Sequence, residues 1–203
     1  MLIFTLDAHE FTRSINAVRR SAATDKSRPA LTGIFCQIIK SQLIVAAADG
    51  FRLSESRATV EPVNDGDPIT AILELAPLLA FCKLIERHTS HVMVEPSEKH
   101  WTLKVIGRTV GVPVIDATFP DYKQLLGSGE VTELFRVDAS FLMDALAAHK
   151  NSTIRVGVVP GGPTDGSAGL YLNEYVHKYD PYPATRHLIM PKIADDRTWS
   201  NPE

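Results

Sequence analysis

Cysteine is scarce in this chain: Cys36 and Cys82 are the only two in 203 residues, and both sit inside apolar runs. That placement argues for two buried thiols rather than a disulfide, and fits a protein of the reducing cytoplasm. Long hydrophobic runs are lacking too, since no apolar stretch reaches the ~20 residues a membrane helix needs. Met1-Leu2-Ile3-Phe4 gives way to Asp7 and Glu10 rather than to an extended apolar core, so no secretory signal is read. Charge of one sign is likewise missing. Lys and Arg number 21 against 24 Asp and Glu, a formal net charge of -3, which argues against a protein basic over its whole surface. Any contact with nucleic acid has to use a local patch. The signatures of catalysis are also thin. Residues 161–169 are rich in glycine but lack the Gly-Lys-Ser/Thr ending of a phosphate loop. His88, His91 and His100 show no paired metal-ligand spacing, Asp116 and Asp121 flank a turn, and Ser152 and Ser167 lack a nucleophile-elbow context. No enzyme, cofactor or metal is expected.

What is present is a globular composition, 44% hydrophobic, organised as one pattern read three times. Residues 2–6 form a short apolar strand, and Phe11, Ile15, Val18 and Ala22 recur at helical spacing over 9–23. Strands follow at 31–39, 42–48 and 51–60. The pattern restarts with a strand at 69–75, a helix over 76–89 with Leu78, Phe81, Cys82 and Ile85 on one side, and strands at 91–95, 101–106 and 109–115. A third copy opens at 134–137, passes through a helix at 140–150, and continues with strands at 154–159, 170–176 and 187–193. Each copy is a βαβββ unit whose apolar face needs a neighbour. The fold class is therefore α+β, with helices on one face of antiparallel sheets.

Polar punctuation divides the copies. Glu61-Pro62-Val63-Asn64-Asp65-Gly66-Asp67-Pro68 reads as a link between the first two, and Gly127-Ser128-Gly129-Glu130 separates the second from the third. The expected organisation is a two-unit domain over 1–126, a one-unit half domain over 131–194, and a frayed polar tail over 195–203. Residues 160–168 read as a mobile Gly/Pro-rich hairpin loop.

Projected at 100° per residue, Arg13 and Arg20 fall opposite the Phe11, Ile15, Val18 stripe, with Arg19 and Lys26 on its flank. In the second helix Lys83 and Arg87 sit at i, i+4 and point away from the core side, with Glu86 diluting the signal. The third helix offers only His149 and Lys150 at its end. A charged face opposite a core stripe is ordinarily a solvated face, but two successive helices with basic outer positions also suit phosphate contact.

Three strings carry a resemblance: Arg28-Pro29-Ala30-Leu31-Thr32-Gly33, Ala48-Asp49-Gly50-Phe51-Arg52-Leu53 and Phe119-Pro120-Asp121-Tyr122. Asp49-Gly50 reads as a tight hairpin turn with Phe51 opening the returning strand. In order over the first 126 residues, these strings resemble the middle domain of the bacterial DNA polymerase III beta subunit family, the ring-shaped sliding clamp. Phe135-Arg136-Val137-Asp138-Ala139-Ser140-Phe141-Leu142 and Leu188-Ile189-Met190-Pro191-Lys192-Ile193 resemble the last half of that family's C-terminal domain.

The resemblance implies a DNA clamp fold and a processivity factor in DNA replication. Its helices would line a hole around duplex DNA without reading sequence, with Arg13, Arg20, Lys83 and Arg87 facing phosphates. It further implies a groove that takes short peptides of a DNA polymerase, clamp loader or repair protein. Its matching residues here are Leu31, Gly50, Phe51, Arg52, Leu53, Pro120, Leu125, Phe141, Leu188 and Met190. Leu, Pro and Met make an adaptable apolar slot, and Gly50 permits close approach of a bound backbone. Phe51 stands where the family commonly has a polar ring. Read without the resemblance, Leu31, Leu53, Leu125 and Leu188 are more readily plain core residues, and Arg52 a structural ion-pair partner. A clamp subunit of the family has six units, whereas three are read here. Four chains would supply the twelve of a complete ring, so self-association, as far as a homotetrameric ring, is expected. The competing reading is a clamp-like regulatory protein that binds clamp partners without encircling DNA.

Overall fold

The computed structural model describes residues 2–85, 89–125, 137–147, 149, 154–159, 169–174 and 186–189. The chain forms two compact units, Met1–Ser128 and Gly129–Glu203.

The first unit opens with β1 (Phe4–Asp7) and α1 (Ala8–Val18), continued by a 3-10 turn, Arg19–Ser21. Asp7 caps α1: one carboxylate oxygen accepts from the backbone N–H groups of His9 and Glu10, both at 2.9 Å. These donors, Glu10's foremost, hold the Asp7 carboxyl below its usual range. Asp7→Ala is expected to cost about 1 kcal/mol at neutral pH, the ordinary value of a lost cap. Because the folded-state pKa is the lower one, the contribution is present above the unfolded carboxylate pKa. It disappears as pH falls through the folded value. Urea titrations of wild type and variant should therefore differ at pH 7 and converge in acid.

α2 (Pro29–Thr32) is a single turn carrying Leu31, where the apolar pattern predicts a strand from residue 31. Proline explains the difference, because its fixed φ and missing N–H suit the first helical position. Thr32 Oγ1 then donates back to the Pro29 carbonyl at 2.8 Å.

β2 (Ile34–Ala48) and β3 (Leu53–Leu73) are long antiparallel partners. Sequence predicts four shorter strands and a polar link over this stretch. Lys40, at φ 51°, marks the reason. The ladder shifts register on either side of it, and the buried side of β2 changes from Ile34, Cys36 and Ile38 to Leu43, Val45 and Ala47. The irregular pairing around Lys40, where β3 carries the extra residues, thus reverses the alternation without ending the strand. Opposite the shift lies the expected link, with a cis Glu61–Pro62 bond. Buried Asn64 holds it in place of ladder bonds, donating to the Ile38 and Asp67 carbonyls at 3.2 and 3.1 Å and accepting from Gly66 N–H at 3.3 Å.

α3 (Leu75–Cys82) and β4 (His91–Glu95), β5 (His100–Val105) and β6 (Arg108–Pro113) complete the unit in the order β2-β3-β1-β4-β5-β6. The helix stops earlier than the apolar periodicity suggests. Leu84 N–H bonds to the Phe81 carbonyl and Ile85 N–H to that of Cys82, the i, i+3 tightening that closes a helix. The end of β3 also meets β6: Leu73 bridges Val114, and Ile115 N–H donates to the Ile72 carbonyl at 2.8 Å. The sheet therefore wraps both long helices. Phe11 of α1 and Phe81 of α3 meet edge to face at 6.0 Å, within one core that includes Phe4, Leu6, Trp101 and Leu103. Buried Glu95 takes its neutralising partner, Lys104, from the adjacent strand.

The second unit has α4 (Ala139–Ala147) and an antiparallel sheet, β7-β8-β9, of Ile154–Val159, Gly169–Glu174 and Arg186–Ile189. Its helix is shorter than the expected 140–150. The expected strand at 134–137, except Val137, which is in no strand, lies outside the described residues, as do the 160–168 loop, residues 190–193 and the 195–203 tail.

Candidate partner-binding groove and cationic helix ends

The β2–β3 connection is a four-residue loop, Asp49 to Arg52, and Leu53 rather than Phe51 starts the returning strand opposite Ala48. The Asp49 side chain organises it. Its carboxylate accepts from Phe51 N–H at 2.9 Å, Arg52 N–H at 3.1 Å and Arg52 Nε at 2.8 Å. Those backbone donors, Phe51's first, hold the carboxyl below its ordinary range. Gly50 has φ +93°, the left-handed region that favours glycine, and a Cβ there would stand 3.0 Å from Arg28 Nη1. The tip is thereby fixed with Phe51 projecting, 99% exposed. Arg52 is both exposed and paired to Asp49, so the structural reading of this residue holds beside the functional one.

Next to the tip lies a depression of about 400 Å³ lined by residues that include Asp25, Ser27, Arg28, Gly50 and Phe51. α2 is tied to the same region, because Ala23 N–H donates to the Leu31 carbonyl at 2.9 Å and Leu31 N–H to that of Arg28 at 3.0 Å. Leu31 itself is buried and Leu53 half-buried. Leu31 is therefore a core side chain at the base of this region rather than an open contact surface.

The Phe119 string docks on the same long hairpin. Phe119 stacks on Phe35 at 5.1 Å, and Tyr122 stands edge-on to both rings at 5.9 Å. Buried Tyr122 donates its hydroxyl to Glu55 at 2.8 Å, two residues beyond Leu53. Burial, then the Glu55 carboxylate, raises the Tyr122 pKa, so the phenol stays a donor. Sequence reasoning misses this aromatic triad as part of the site. The available signal is Phe119 and Tyr122 spaced three apart beyond a buried sheet. The triad fixes the segment in which Pro120 is exposed, and Leu125 ends the following 3-10 turn, Tyr122–Leu125.

The other expected wall belongs to the second unit. Phe141 is exposed on α4, and Leu188 lies in β9 opposite Tyr171. Met190 lies outside the described residues.

On the cationic side, Arg13 is exposed on α1 and Arg20 exposed in the 3-10 turn after it. The second basic helix face is corrected: α3, Leu-Ala-Pro-Leu-Leu-Ala-Phe-Cys, carries no charge. Lys83 is its C-cap, where a cation also complements the helix dipole, and Arg87 lies outside the described residues. Lys26 sits in a turn beyond α1, because the helix ends at Val18. Arg19 supplies what the projection underrates. Its charge reaches the Cys82 thiol, whose pKa burial nonetheless pushes up to about 11. Arg19, Arg20 and Lys83 thus gather where the two helices end. None of them belongs to the ion pairs found among the described residues, Arg52–Asp49, Arg57–Glu55 and Lys104–Glu95.

Neither described cysteine is in a disulfide; Cys36 is buried and its pKa raised by that burial. Among the described residues no cluster of His, Cys, Asp and Glu could hold a metal ion, and no helix is long and apolar enough to cross a membrane.

Residues 5–121 match the family model described as the DNA polymerase III beta subunit, central domain. The chain belongs to the DNA polymerase III beta subunit family. Solved structures agree on the fold. The DNA polymerase sliding clamp of Bacillus subtilis superposes with a TM-score of 0.75 at 17% identity, over 94% of this chain and 49% of that one. The beta subunit of Thermotoga maritima gives 0.69 at 19%, over 94% and 50%, and the sliding clamp of Pseudomonas aeruginosa 0.72 at 18%, over 93% and 51%. No curated protein matches the sequence. The chain thus has the sliding-clamp fold and spans about half the length of the beta subunits it matches.

Proposed function

We propose that this beta-family chain is a clamp-like, non-catalytic protein that holds DNA polymerase, clamp loader or repair proteins through short peptides. The observation that carries the reading is the β2–β3 tip, where Asp49 and Gly50 spend their geometry on presenting an exposed Phe51 beside a depression. A wholly exposed phenylalanine on a rigid turn gains nothing for folding and suits an anchor for a partner. Leu53, Pro120 and Leu125 belong to this wall, with Leu31 buried at its base, and Phe141, Leu188 and Met190 to the proposed opposite one.

A fluorescent clamp-binding peptide titrated against the full chain tests it. Phe51→Ala and Met190→Asp should each weaken binding by about tenfold or more, on the scale of interface anchors. Affinities equal to wild type in both variants would remove the site.

The DNA side of the proposal is sequence-independent encirclement. Arg13, Arg20, Lys83 and Arg87 would face phosphates, in a ring that needs several copies of the chain. The uncharged α3 favours the second reading, a non-encircling clamp-like regulator. Retention on nicked circular DNA that is lost on linearisation supports encirclement. Equal retention on both forms supports the regulator.

A further inference from the structure

The first unit shows what a second copy of its repeat does. The strand before each long helix pairs with the first strand after the other one: β1 with β4, Phe4 opposite Val94 and Leu6 opposite Val92, and the end of β3 with the start of β2, Ala71 opposite Cys36 and Leu73 opposite Ile34. The helices meet between them through Phe11 and Phe81. Neither repeat closes its sheet or covers its helix alone.

The second unit holds one such repeat. Phe135-Arg136-Val137-Asp138-Ala139 matches Phe4-Thr5-Leu6-Asp7-Ala8, and Asp138 accepts from Ser140 N–H at 2.9 Å much as Asp7 caps α1. On that alignment Phe141, Met143 and Leu146 of α4 occupy the places of Glu10, Thr12 and Ile15 on α1. Ile15 is fully buried and the other two half-buried, whereas Phe141 is 62%, Met143 64% and Leu146 38% exposed. Met143 and Leu146, three residues apart on one side of α4, thus form an apolar pair less covered than Thr12 and Ile15 on α1. Among the described residues β7, the strand that follows α4, pairs on one side only, with β8, and Val156 on it is exposed. The described apolar core of this unit is small, with Ala145 and Leu172 as its buried members. A core of that size does not stabilise a free-standing unit.

We propose that the second unit is completed by the second unit of another copy of this chain, α4 against α4 and the edge of β7 that no described strand pairs against the partner. The two repeats of the first unit supply the template, and a two-fold axis turns their internal relation into an isologous interface. The inference deepens the self-association that encirclement requires, and its test separates from that reading.

Light scattering on the full chain at micromolar concentration should give an even number of copies. Met143→Lys with Leu146→Glu, two substitutions outside the proposed peptide groove, should weaken self-association by at least about 30-fold, with the cooperative unfolding of the first unit intact. Should that variant misfold, Leu146→Cys in a Cys82→Ser background, treated with a short bis-maleimide, should give a covalent dimer. A monomeric wild type overturns the proposal and points to cover from elsewhere in the chain. So does an assembly that the double substitution leaves unchanged, or a Leu146→Cys protein that does not cross-link. Peptide titration of the monomeric variant keeps the two proposals apart, since loss of the groove leaves the interface standing and loss of the interface leaves the Phe51 wall standing.

Discussion

Gly33→Val should leave the first unit largely unfolded at a urea concentration where wild type is native, a loss of about 3 kcal/mol or more. Gly33 joins α2 to β2. A Cβ built there lies 2.6 Å from the Leu73 carbonyl oxygen, 2.7 Å from Ile72 Cγ2 and 2.8 Å from Ile115 Cδ1. The nearest of these is backbone in a paired strand, so the clash is relieved only by moving β2 away from β3 at the Ile34–Leu73 pair. Gly33→Ala sharpens the test. Alanine ordinarily stabilises by restricting the unfolded chain, by about 0.4–1 kcal/mol, and here overpacking should reverse that sign. Gly111→Ala is the control: its nearest neighbour is a His100 ring carbon at 3.7 Å, an ordinary contact, so its midpoint should stay within about 0.5 kcal/mol of wild type. A stable Gly33→Ala would show that the α2–β2 joint yields. Because α2 carries Leu31 and borders the depression beside Phe51, that joint also bears on how firmly the proposed peptide wall is held.

The parts of this fold legible in the sequence are those where one physical signal dominates. His91–Glu95 and Ile154–Val159 are apolar runs bounded by polar residues, and both strands fall on the expected residues. Elsewhere two signals compete. Pro62 and Gly66 announce a link, but Asn64, a polar residue with nothing in the sequence to mark it as buried, ties that stretch into β3. Lys40 gives no warning that it takes a positive φ, so a continuous β2 looks like two strands. Apolar periodicity through Ile85 extends α3 on paper and carries Lys83 and Arg87 onto its outer face, whereas the chain tightens after Cys82 and leaves the helix uncharged.

The site is legible to the same degree. Asp49-Gly50 marks the turn, but only the side-chain bonds of Asp49 explain why the loop has four residues and why Phe51 points outward. Arg52 satisfies both of its readings at once. Leu31 turns out buried, so the residue that resemblance puts in a groove also serves the core. Phe141, Leu188 and Met190, which the resemblance assigns to the groove, belong to the second unit, and Met190 lies outside the described residues.

Phe81→Ala is the second large effect, because Phe81 does two jobs. Its ring is fully buried on α3 and meets Phe11 of α1 edge to face, at 6.0 Å and 86°. Truncating a buried phenylalanine costs about 3–5 kcal/mol through lost transfer and the cavity left behind, and the aromatic pair adds about 0.5–1.5 kcal/mol beyond its area. Against a domain stability of about 5–15 kcal/mol this is about a fifth or more of the total, and the urea midpoint should fall accordingly. A cycle with Phe11→Ala isolates the pair: the double variant should be less destabilised than the sum by about 1 kcal/mol. Strict additivity would mean that each ring packs independently and that nothing special joins the helices. The cycle also bears on DNA. Arg19, Arg20 and Lys83 stand at the ends of the two helices that this contact holds together, and their spacing depends on it. Under conditions where the Phe81→Ala protein is still folded, its retention on nicked circular DNA should fall although no charge has changed. Arg13→Glu with Arg20→Glu should lower retention and leave the urea midpoint within about 0.5 kcal/mol. Retention unaffected by either change would move the DNA contact away from these helices.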